Sequence, residues 1–488
     1  MNLADALAHH TRARPERAAI IQGERIITYA ELDLLVRRWA AHLAAQGISR
    51  GDVVGIALKD SPEHLLALYA AARLGAVSLP IDVRWTPAEC QAVAARFRAR
   101  RVLVEPGAAL DDLPCIAVDA GFHRAVLAAP AQMAFPDGPD CAGMPLLVSL
   151  SSGTTGRPKG PVVTHGQFLR RFWTHWIDLG LDSSQVYVSA TPLYFGGGRT
   201  FAMSQIFAGG TVVLFPPPYK PEELVAEVAR RGATSLFLVP TLIRRLLDLP
   251  DDTLAPLRRL SLLLSSGAPL HPNERLLIRD RLCAGFHEYY ASTEGGGISL
   301  LRPSDLEGQS DSVGRPVFGV EVAILDDAGT KLPAGEVGRI AYRGPGVASA
   351  FFEDPEADAE AFSDGWFLPG DLGTLDGHGY LRLRGRRKDM IIRAGVNIYP
   401  LEIEALIATH PAVQEVAVVG WPAHQTGEEI AAFVVPRQAV PLEELHALCA
   451  ARLAPYKKPR EIFIIPELPR NASGKVLKPE LARSLPPL

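Results

Sequence analysis

Apolar and polar residues along the first part of the chain follow the spacing of alternating helices and strands. The segment YAELDLLVRRWAAHLAAQG (29–47) carries an apolar stripe at helical spacing that ends at Gly47. The run DVVGIAL (52–58) is typical of a buried strand, and PEHLLALYAAARLGAVSLPID (62–82) predicts a helix followed by a strand. Repeated strand–helix–strand units of this kind indicate a mainly parallel sheet.

The same alternation returns around residues 211–240 and then changes character. After about residue 310, short alternating strands are separated by the turn sequences DDAG (326–329) and LPAGE (332–336). From about residue 385 the pattern becomes helix, strand, strand, helix, with its own apolar set. We therefore predict an α/β fold with two domains. A large N-terminal domain of βαβ subdomains spans residues 1–387, with a small β-rich subdomain at about 310–385, and a small α+β domain spans 388–488.

Composition narrows the class of protein. A chain of 488 residues is too long for one ordinary core, and 48% hydrophobic with 21% charged residues is ordinary globular material. The formal net charge of −4 argues against a nucleic-acid partner or a polybasic membrane surface. No apolar run has the length of a membrane span, and no secretion signal precedes the first helix. The five cysteines show no metal-ligand spacing. We expect a cytoplasmic protein, as a monomer or a homodimer.

Residues 151–160, SSGTTGRPKG, are too small and polar to build a core. Backbone amides of such a segment can form a nest for phosphate oxygens, and Lys159 would add the positive charge. The segment is not a Walker A loop, because GxxxxGK[ST] is not satisfied. Taken alone, it could equally be a flexible connector.

Seven collinear motifs decide between these interpretations. They are SSGTTGRPKG (151–160), SSGAPL (265–270), YASTE (290–294), GWFLPGDLG (365–373), GRRKDMIIRAGVNIYPLEIE (385–404), APYKKPR (454–460) and PRNASGKVLK (469–478). In order and spacing the chain resembles the adenylate-forming enzymes, which include acyl-CoA synthetases, adenylation domains of peptide synthetases and luciferases. The resemblance covers essentially the whole chain. It implies ATP-dependent activation of a carboxylic acid as an acyl-adenylate, followed by transfer of the acyl group to a thiol.

The resemblance also implies roles for individual residues. Lys475 matches the catalytic lysine that bridges the acid and the α-phosphate. Glu294 matches the Mg²⁺ ligand, and Thr293 the α-phosphate contact. The residues implied in ATP or AMP binding are Ser151, Ser152, Gly153, Thr154, Thr155, Gly156, Lys159, Ser266, Gly267, Ala268, Pro269, Tyr290, Ala291, Ser292, Asp371 and Arg386. Among these, Tyr290 has a flat face to stack on adenine, Asp371 can accept from both ribose hydroxyls, and Arg386 can grip the ribose or a phosphate.

The C-terminal domain is expected to be a mobile lid. One site must shield adenylation from water and then admit a long thiol, and a rotation of the small domain would exchange Lys475 for another face. Lys388 falls where the family has its hinge. By resemblance, Gly395 lines the tunnel for the pantetheine arm of coenzyme A, because a side chain there would obstruct it.

The acyl pocket is where the chain departs from the family pattern. The predicted lining residues are Tyr194, Phe195, Gly196, Gly197, Gly267 and Gly295, and Phe195 replaces the histidine of many relatives. The Tyr194–Phe195 region lacks the aspartate with which peptide synthetases hold an amino acid. Arg199 could pair with the second carboxylate of a dicarboxylic acid, or it could be solvated or structurally paired. We expect a short branched or hydroxylated acid, or a small aromatic acid.

Coenzyme A is the expected acceptor, and ATP and Mg²⁺ the expected cofactors. One alternative is a stand-alone ligase that loads the phosphopantetheine of a carrier protein. Another is a non-catalytic ligand-binding relative, which would predict loss of Lys475, Glu294 or Asp371, whereas all three are present. A luciferase-like oxygenase is possible on the same fold, but nothing in the sequence requires oxygen chemistry.

Overall fold

The computed structural model describes residues 1–110, 113–131, 139–150, 159–470, 475–486 and 488. The predicted phosphate-contacting residues Ser151, Ser152, Gly153, Thr154, Thr155 and Gly156 lie outside the described residues.

The N-terminal part alternates helices and strands as the hydrophobic pattern predicts. Its elements are α1 (Asp5–Ala13), β1 (Ala18–Gln22), β2 (Arg25–Thr28), α2 (Tyr29–Ala45), β3 (Val53–Ala57), α3 (Pro62–Leu74), β4 (Val77–Pro80), α4 (Pro87–Arg96), β5 (Ala99–Val104), β6 (Cys115–Ala117), α5 (Ala120–Ala128), β7 (Pro145–Val148), β8 (Val162–Thr164), α6 (His165–Trp173), β9 (Val186–Ser189), α7 (Gly196–Ala208) and β10 (Thr211–Leu214).

The central part continues the alternation and then turns to short strands. Its elements are α8 (Pro221–Arg231), β11 (Ser235–Leu238), α9 (Pro240–Leu247), α10 (Asp251–Leu254), β12 (Leu262–Ser265), α11 (Pro272–Arg281), β13 (Phe286–Ser292), β14 (Gly296–Leu301), α12 (Leu306–Gln309), β15 (Arg315–Pro316), β16 (Glu321–Leu325), β17 (Gly338–Arg343), α13 (Pro355–Ala361), β18 (Phe362–Ser363), β19 (Trp366–Phe367), β20 (Asp371–Leu375) and β21 (Leu381–Arg386).

The C-terminal part forms a separate sheet with flanking helices. Its elements are β22 (Ile391–Arg393), β23 (Val396–Ile398), α14 (Pro400–Ile407), β24 (Val413–Ala423), β25 (Gly427–Pro436), α15 (Leu442–Arg452), β26 (Glu461–Ile464) and α16 (Lys478–Arg483). The pattern of helix, strand, strand, helix omitted the short hairpin of β22 and β23. That hairpin turns through Ala394 and Gly395, both at positive φ.

Two mainly parallel sheets dominate the N-terminal part. One has the strand order β15-β14-β13-β12-β11-β9-β10-β1-β2 and the other β6-β5-β3-β4-β7-β8. The largest hydrophobic cluster lies between them and includes buried residues of α2, α3, α6 and α7. Parallel strands buried on both faces explain the nearly continuous apolar runs in the sequence.

Antiparallel pairing takes over after residue 320. Strands β16 to β21 form a third sheet with its own core, and β22 to β26 form a fourth. The predicted α/β class, with its β-rich part and small C-terminal sheet domain, is confirmed. The boundary at Lys388 stays a prediction; that residue lies in the 3-10 turn Arg387–Asp389, between the third and fourth sheets. No helix among the described residues is both long and apolar enough to span a bilayer.

Helix α6 begins directly after β8 because Thr164 caps it. The Thr164 side chain accepts from the backbone N–H of Gln167, and the Gln167 side chain accepts from the N–H of Thr164. A π-helical turn, Thr174–Asp178, continues the helix. The buried side of α6 carries Phe168 and Phe172 and also a charged residue, Arg171, which is unexpected on an apolar face.

Candidate active site

Lys475 lies where the C-terminal domain meets the N-terminal part of the chain. The next residue, Val476, forms an antiparallel bridge with Arg470, and the N–H of Leu477 donates to the carbonyl of Pro469 at 2.8 Å. Arg470 also forms an ion pair with Glu415 on β24. These contacts anchor the segment beside Lys475 to the C-terminal sheet.

The Lys475 ammonium group stands in the field of four charged side chains. Burial lowers its pKa, Arg386 and Lys388 lower it further, and Asp371 and Glu294 oppose the change. The residue as a whole keeps solvent-exposed surface, so the cost of burying its charge is incomplete. The structure thus brings together five residues that the sequence places up to 181 positions apart. A partly desolvated ammonium group with two other cations nearby is stabilised when an anion binds beside it.

Asp371 is held between a phenol and a guanidinium group. The hydroxyl of Tyr290 donates to Oδ2, and Nε of Arg386 lies 2.7 Å from Oδ1. Burial raises the pKa of Asp371, and the nearby Arg386 charge opposes that rise. Asp371 and Arg386 face each other in the register of β20 and β21, so the strand pairing itself fixes their contact. The carboxylate retains lone pairs for further donors such as hydroxyl groups.

The turn that carries Thr293 and Glu294 joins β13 to β14. The N–H of Gly295 donates to the hydroxyl of Ser292 at 3.0 Å, and that hydroxyl is hydrogen-bonded to the hydroxyl of Tyr342. Both predicted site residues are partly exposed. The side chains of Thr293 and Glu294 can therefore contact a ligand, while hydrogen bonds through Ser292 stabilise the backbone of the turn.

The described residues contain no group of three or more His, Cys, Asp or Glu side chains that could hold a metal ion. Mg²⁺ commonly binds through only one or two protein carboxylates together with substrate phosphates. Glu294, a partly exposed carboxylate beside Lys475, fits a metal ion that is held jointly by the protein and a nucleotide.

The other predicted nucleotide contacts share one edge of the large sheet. Ser266, Gly267, Ala268 and Pro269 follow the carboxyl end of β12, and residues 290–292 end the adjacent parallel strand β13. Gly267 has a φ of +102°, which favours glycine at that turn. Ligands in open α/β sheets bind outside the carboxyl ends of the strands, so this edge suits a nucleotide.

Lys159 points to an acidic neighbour in the described arrangement. Its Nζ lies 3.1 Å from the Glu360 carboxylate and 5.6 Å from the ring centroid of Phe351. Glu360 is largely exposed, so this ion pair is weak and could be exchanged for a phosphate contact. The phosphate role of Lys159 stays a prediction.

Two charged residues that the sequence analysis did not single out, Asp60 and Arg84, contact the Tyr194–Phe195 loop and the residue before it. The N–H of Leu193 donates to the Asp60 carboxylate at 2.6 Å. The Arg84 guanidinium carbon lies 5.3 Å and 5.6 Å from the ring centroids of Tyr194 and Phe195. Such cation–π contacts stabilise the orientation of both rings.

Glycines beside this loop differ in what surrounds them. A Cβ at Gly196 would meet no atom within 4 Å, whereas one at Gly197 would lie 2.8 Å from the Phe237 ring. A Cβ at Gly295 would lie 2.3 Å from the Tyr342 hydroxyl oxygen. Gly196 therefore borders open space, while the other two allow close packing of an aromatic side chain. Their place in an acyl pocket stays a prediction.

Arg199 has a structural role in this arrangement. It is 1% exposed and donates to the carbonyls of Leu193 and Tyr194 and to the Ser149 hydroxyl. These contacts connect the Tyr194–Phe195 loop to Ser149, just before the glycine-rich segment. They favour structural pairing over recognition of a second substrate carboxylate.

The predicted hinge and tunnel residues are both exposed. Lys388 is exposed, and Gly395 lies in the exposed turn between β22 and β23 with a φ of +80°. Nothing lies within 4 Å of where a Cβ on Gly395 would be. Both roles stay predictions.

Comparisons with known proteins match the whole of this architecture. Residues 7–352 match the AMP-binding enzyme family, and residues 402–475 match the AMP-binding enzyme C-terminal domain. The chain belongs to the AMP-binding enzyme family. The predicted resemblance to adenylate-forming enzymes is therefore confirmed.

Individual relatives cover nearly the full length. Indoleacetate–CoA ligase of Aromatoleum aromaticum is 33% identical, with 99% of this chain and 98% of that protein covered. Feruloyl-CoA synthase of an Amycolatopsis species is 34% identical, with coverage of 97% and 96%. The crystal structure of ATP-bound MatB from Rhodopseudomonas palustris has a TM-score of 0.90 at 29% identity, with 99% of both chains covered. The two named enzymes are CoA ligases, which agrees with the predicted enzyme class, an acyl-CoA synthetase.

We expect Asp60→Asn to stabilise the protein at neutral pH. Burial raises the pKa of Asp60 to about 6, and Asp82 adds to the rise. The Asp60 carboxyl binds a proton more tightly in the folded protein than in the unfolded chain. The free energy of unfolding therefore falls as pH rises from about 4 to about 6. Asparagine keeps the acceptor for Leu193 without the charge. The variant's free energy of unfolding should exceed that of the wild type by about 1–2 kcal/mol at pH 7.5, a value that is reduced because Asp60 is partly exposed.

Thermal unfolding midpoints at pH 5.0 and 7.5 test this expectation. The excess stability of the variant over the wild type should be larger at pH 7.5. Asp119→Asn is the matched control: the N–H of Phe122 lowers the pKa of Asp119, so that variant should be less stable than the wild type at pH 7.5. An Asp60→Asn variant that is less stable at pH 7.5 than at pH 5.0, relative to the wild type, would contradict the account.

Proposed function

We propose that this enzyme joins a carboxylic acid to coenzyme A in two steps at one site. In the first, a carboxylate oxygen attacks the α-phosphorus of ATP, and the bond to pyrophosphate breaks. In the second, the coenzyme A thiol attacks the acyl carbon, loses its proton and displaces AMP. The observation that supports this proposal is the position of Lys475, a C-terminal-domain cation within electrostatic reach of Asp371 and Glu294.

The chemistry of the first step explains why cations gather at the site. A carboxylate is already a nucleophile, so no separate base is needed, but it must approach a polyanion. Preplaced positive charges stabilise the crowded transition state. In this proposal Lys475 bridges the acid and the α-phosphate, and Asp371 accepts from the ribose hydroxyls. Glu294 would hold Mg²⁺, which neutralises phosphate charge when bound.

The second step requires another arrangement of the same domain. In the described arrangement Lys475 lies within electrostatic reach of Asp371 and Glu294, and Gly395 lies on an exposed turn. Rotation about Lys388 would withdraw the lysine and bring the β22–β23 turn toward the site for the pantetheine arm. A hinge in a short 3-10 turn between two sheets can absorb such a change in dihedral angles.

We infer that the acid is a small aromatic acid, with short branched or hydroxylated acids as the next class. Two full-length relatives are named for indoleacetate and ferulate, both aromatic acids. In this chain, Tyr194 and Phe195 offer flat apolar faces at the start of α7. We further place the enzyme in the cytoplasm, as a monomer or homodimer.

A panel of carboxylic acids tests the proposal. Each acid is incubated with ATP and Mg²⁺, with and without coenzyme A, and AMP, thioester and pyrophosphate exchange are measured. We expect an aromatic acid to give AMP and an equal amount of thioester only with coenzyme A. Pyrophosphate exchange without any use of coenzyme A would favour a carrier-protein acceptor. No acid-dependent exchange across the panel would favour a ligand-binding protein.

Lys475→Ala should separate the two half-reactions. Acyl-adenylate formation should fall by at least 100-fold, because the variant lacks the cation between the two anions. Thioester formation from supplied acyl-adenylate should fall much less. Lys220→Ala, which removes an exposed lysine at the start of α8, is the matched control and should change neither rate. Equal losses in both half-reactions would contradict the two-arrangement account.

Lys388→Pro should have the opposite effect. Proline fixes φ and removes a backbone donor, so it restricts the rotation while leaving the described arrangement accessible. Pyrophosphate exchange should persist, and the thiol step should slow by at least tenfold. Lys388→Ala, which keeps backbone freedom, should retain most of both activities. An unchanged thiol step in the proline variant would rule out this residue as the hinge.

A further inference from the structure

Arg171 holds the backbone of the turn that carries Thr293 and Glu294. Its Nη1 donates to the carbonyl of Thr293 at 3.1 Å and its Nη2 to the carbonyl of Glu294 at 2.5 Å. Its Nε donates to the carbonyl of Gly346 at 2.9 Å. One side chain from α6 therefore joins three segments that are far apart in the sequence.

The protein makes space for this side chain by means of two glycines. A Cβ at Gly296 would lie 3.1 Å from Cγ of Arg171, and a Cβ at Gly346 would lie 2.8 Å from the same atom. Arg171 itself is 6% exposed. The side chain thus runs through a closely packed channel to the turn, and its position is fixed by packing as well as by hydrogen bonds.

The charge of Arg171 is directed at main-chain oxygens. Within the described part of the chain, these three hydrogen bonds all go to carbonyl groups. A guanidinium group presents its donors in a rigid planar fork, which suits three acceptors at fixed angles; an ammonium group is a compact point charge. The buried cation also lies close enough to Glu294 for the carboxylate charge to act on it.

We propose that Arg171 is a positioning residue for adenylation: it fixes the Thr293–Glu294 turn so that the turn can receive the α-phosphate and Mg²⁺, and it places a positive charge behind them. The role rests on the proposed function, since it concerns the same nucleotide site. Arg171 does not touch the substrate; it acts through the two residues that do.

Binding of nucleotides without any acid tests this role. Arg171→Met and Arg171→Lys are compared with the wild type by calorimetric titration with ATP over a range of Mg²⁺ concentrations, and with adenosine. We expect Arg171→Met to weaken Mg·ATP binding at least tenfold and to require more Mg²⁺, while adenosine binding stays within twofold. Arg171→Lys, which keeps the charge but lacks the fork, should weaken Mg·ATP binding three- to tenfold.

Arg302→Gln is the matched control, because Arg302 pairs with Asp178 at 2.6 Å and does not contact the turn. It should leave both affinities unchanged. Equal weakening of adenosine and Mg·ATP by either Arg171 variant would overturn the proposal, as would wild-type Mg·ATP affinity in Arg171→Lys. If Arg171→Met does not fold, the lysine variant decides. The outcome is independent of the acid: a wild type that binds Mg·ATP but activates no acid would refute the proposed function and leave this test intact.

Discussion

The arrangement depends on one electrostatic constraint, the placement of the Lys475 ammonium group among charges from another domain. Burial, Arg386 and Lys388 all disfavour its charged form, while Asp371 and Glu294 favour it. A site with this balance gains stability when anionic phosphate and carboxylate groups enter. Under the proposed function, the same site could lose the cation again after the first reaction, because Lys475 belongs to a separate domain.

The rest of the fold serves to hold the partners of Lys475 in place. Pairing of β20 with β21 sets Asp371 against Arg386, and the adjacent ends of β12 and β13 form the edge at which a nucleotide would bind. Arg171 connects the helix after the glycine-rich segment to the Thr293–Glu294 turn. The site is therefore assembled from strand ends and buried polar contacts, which are rigid compared with loops.

Much of the fold could be predicted from the sequence, and the charged residues that the motifs single out lie near one another, although their roles stay predictions. Hydrophobic periodicity is local, so it predicted the βαβ alternation and the change to short strands, and seven motifs predicted the family. Arg171, Asp60 and Arg84 were missed because their roles arise from contacts with residues more than 100 positions away. The one available signal for Arg171 was a charged residue on the apolar face of a helix, between Phe168 and Phe172.

The most direct test of the central claim is a crystal structure with Mg²⁺ and a non-hydrolysable ATP analogue. The account predicts that Nζ of Lys475 lies within hydrogen-bonding distance of the α-phosphate oxygens, with the ribose hydroxyls on Asp371. A complex in which the C-terminal domain is closed over the nucleotide but Lys475 points to solvent, with another cation at the α-phosphate, would contradict it.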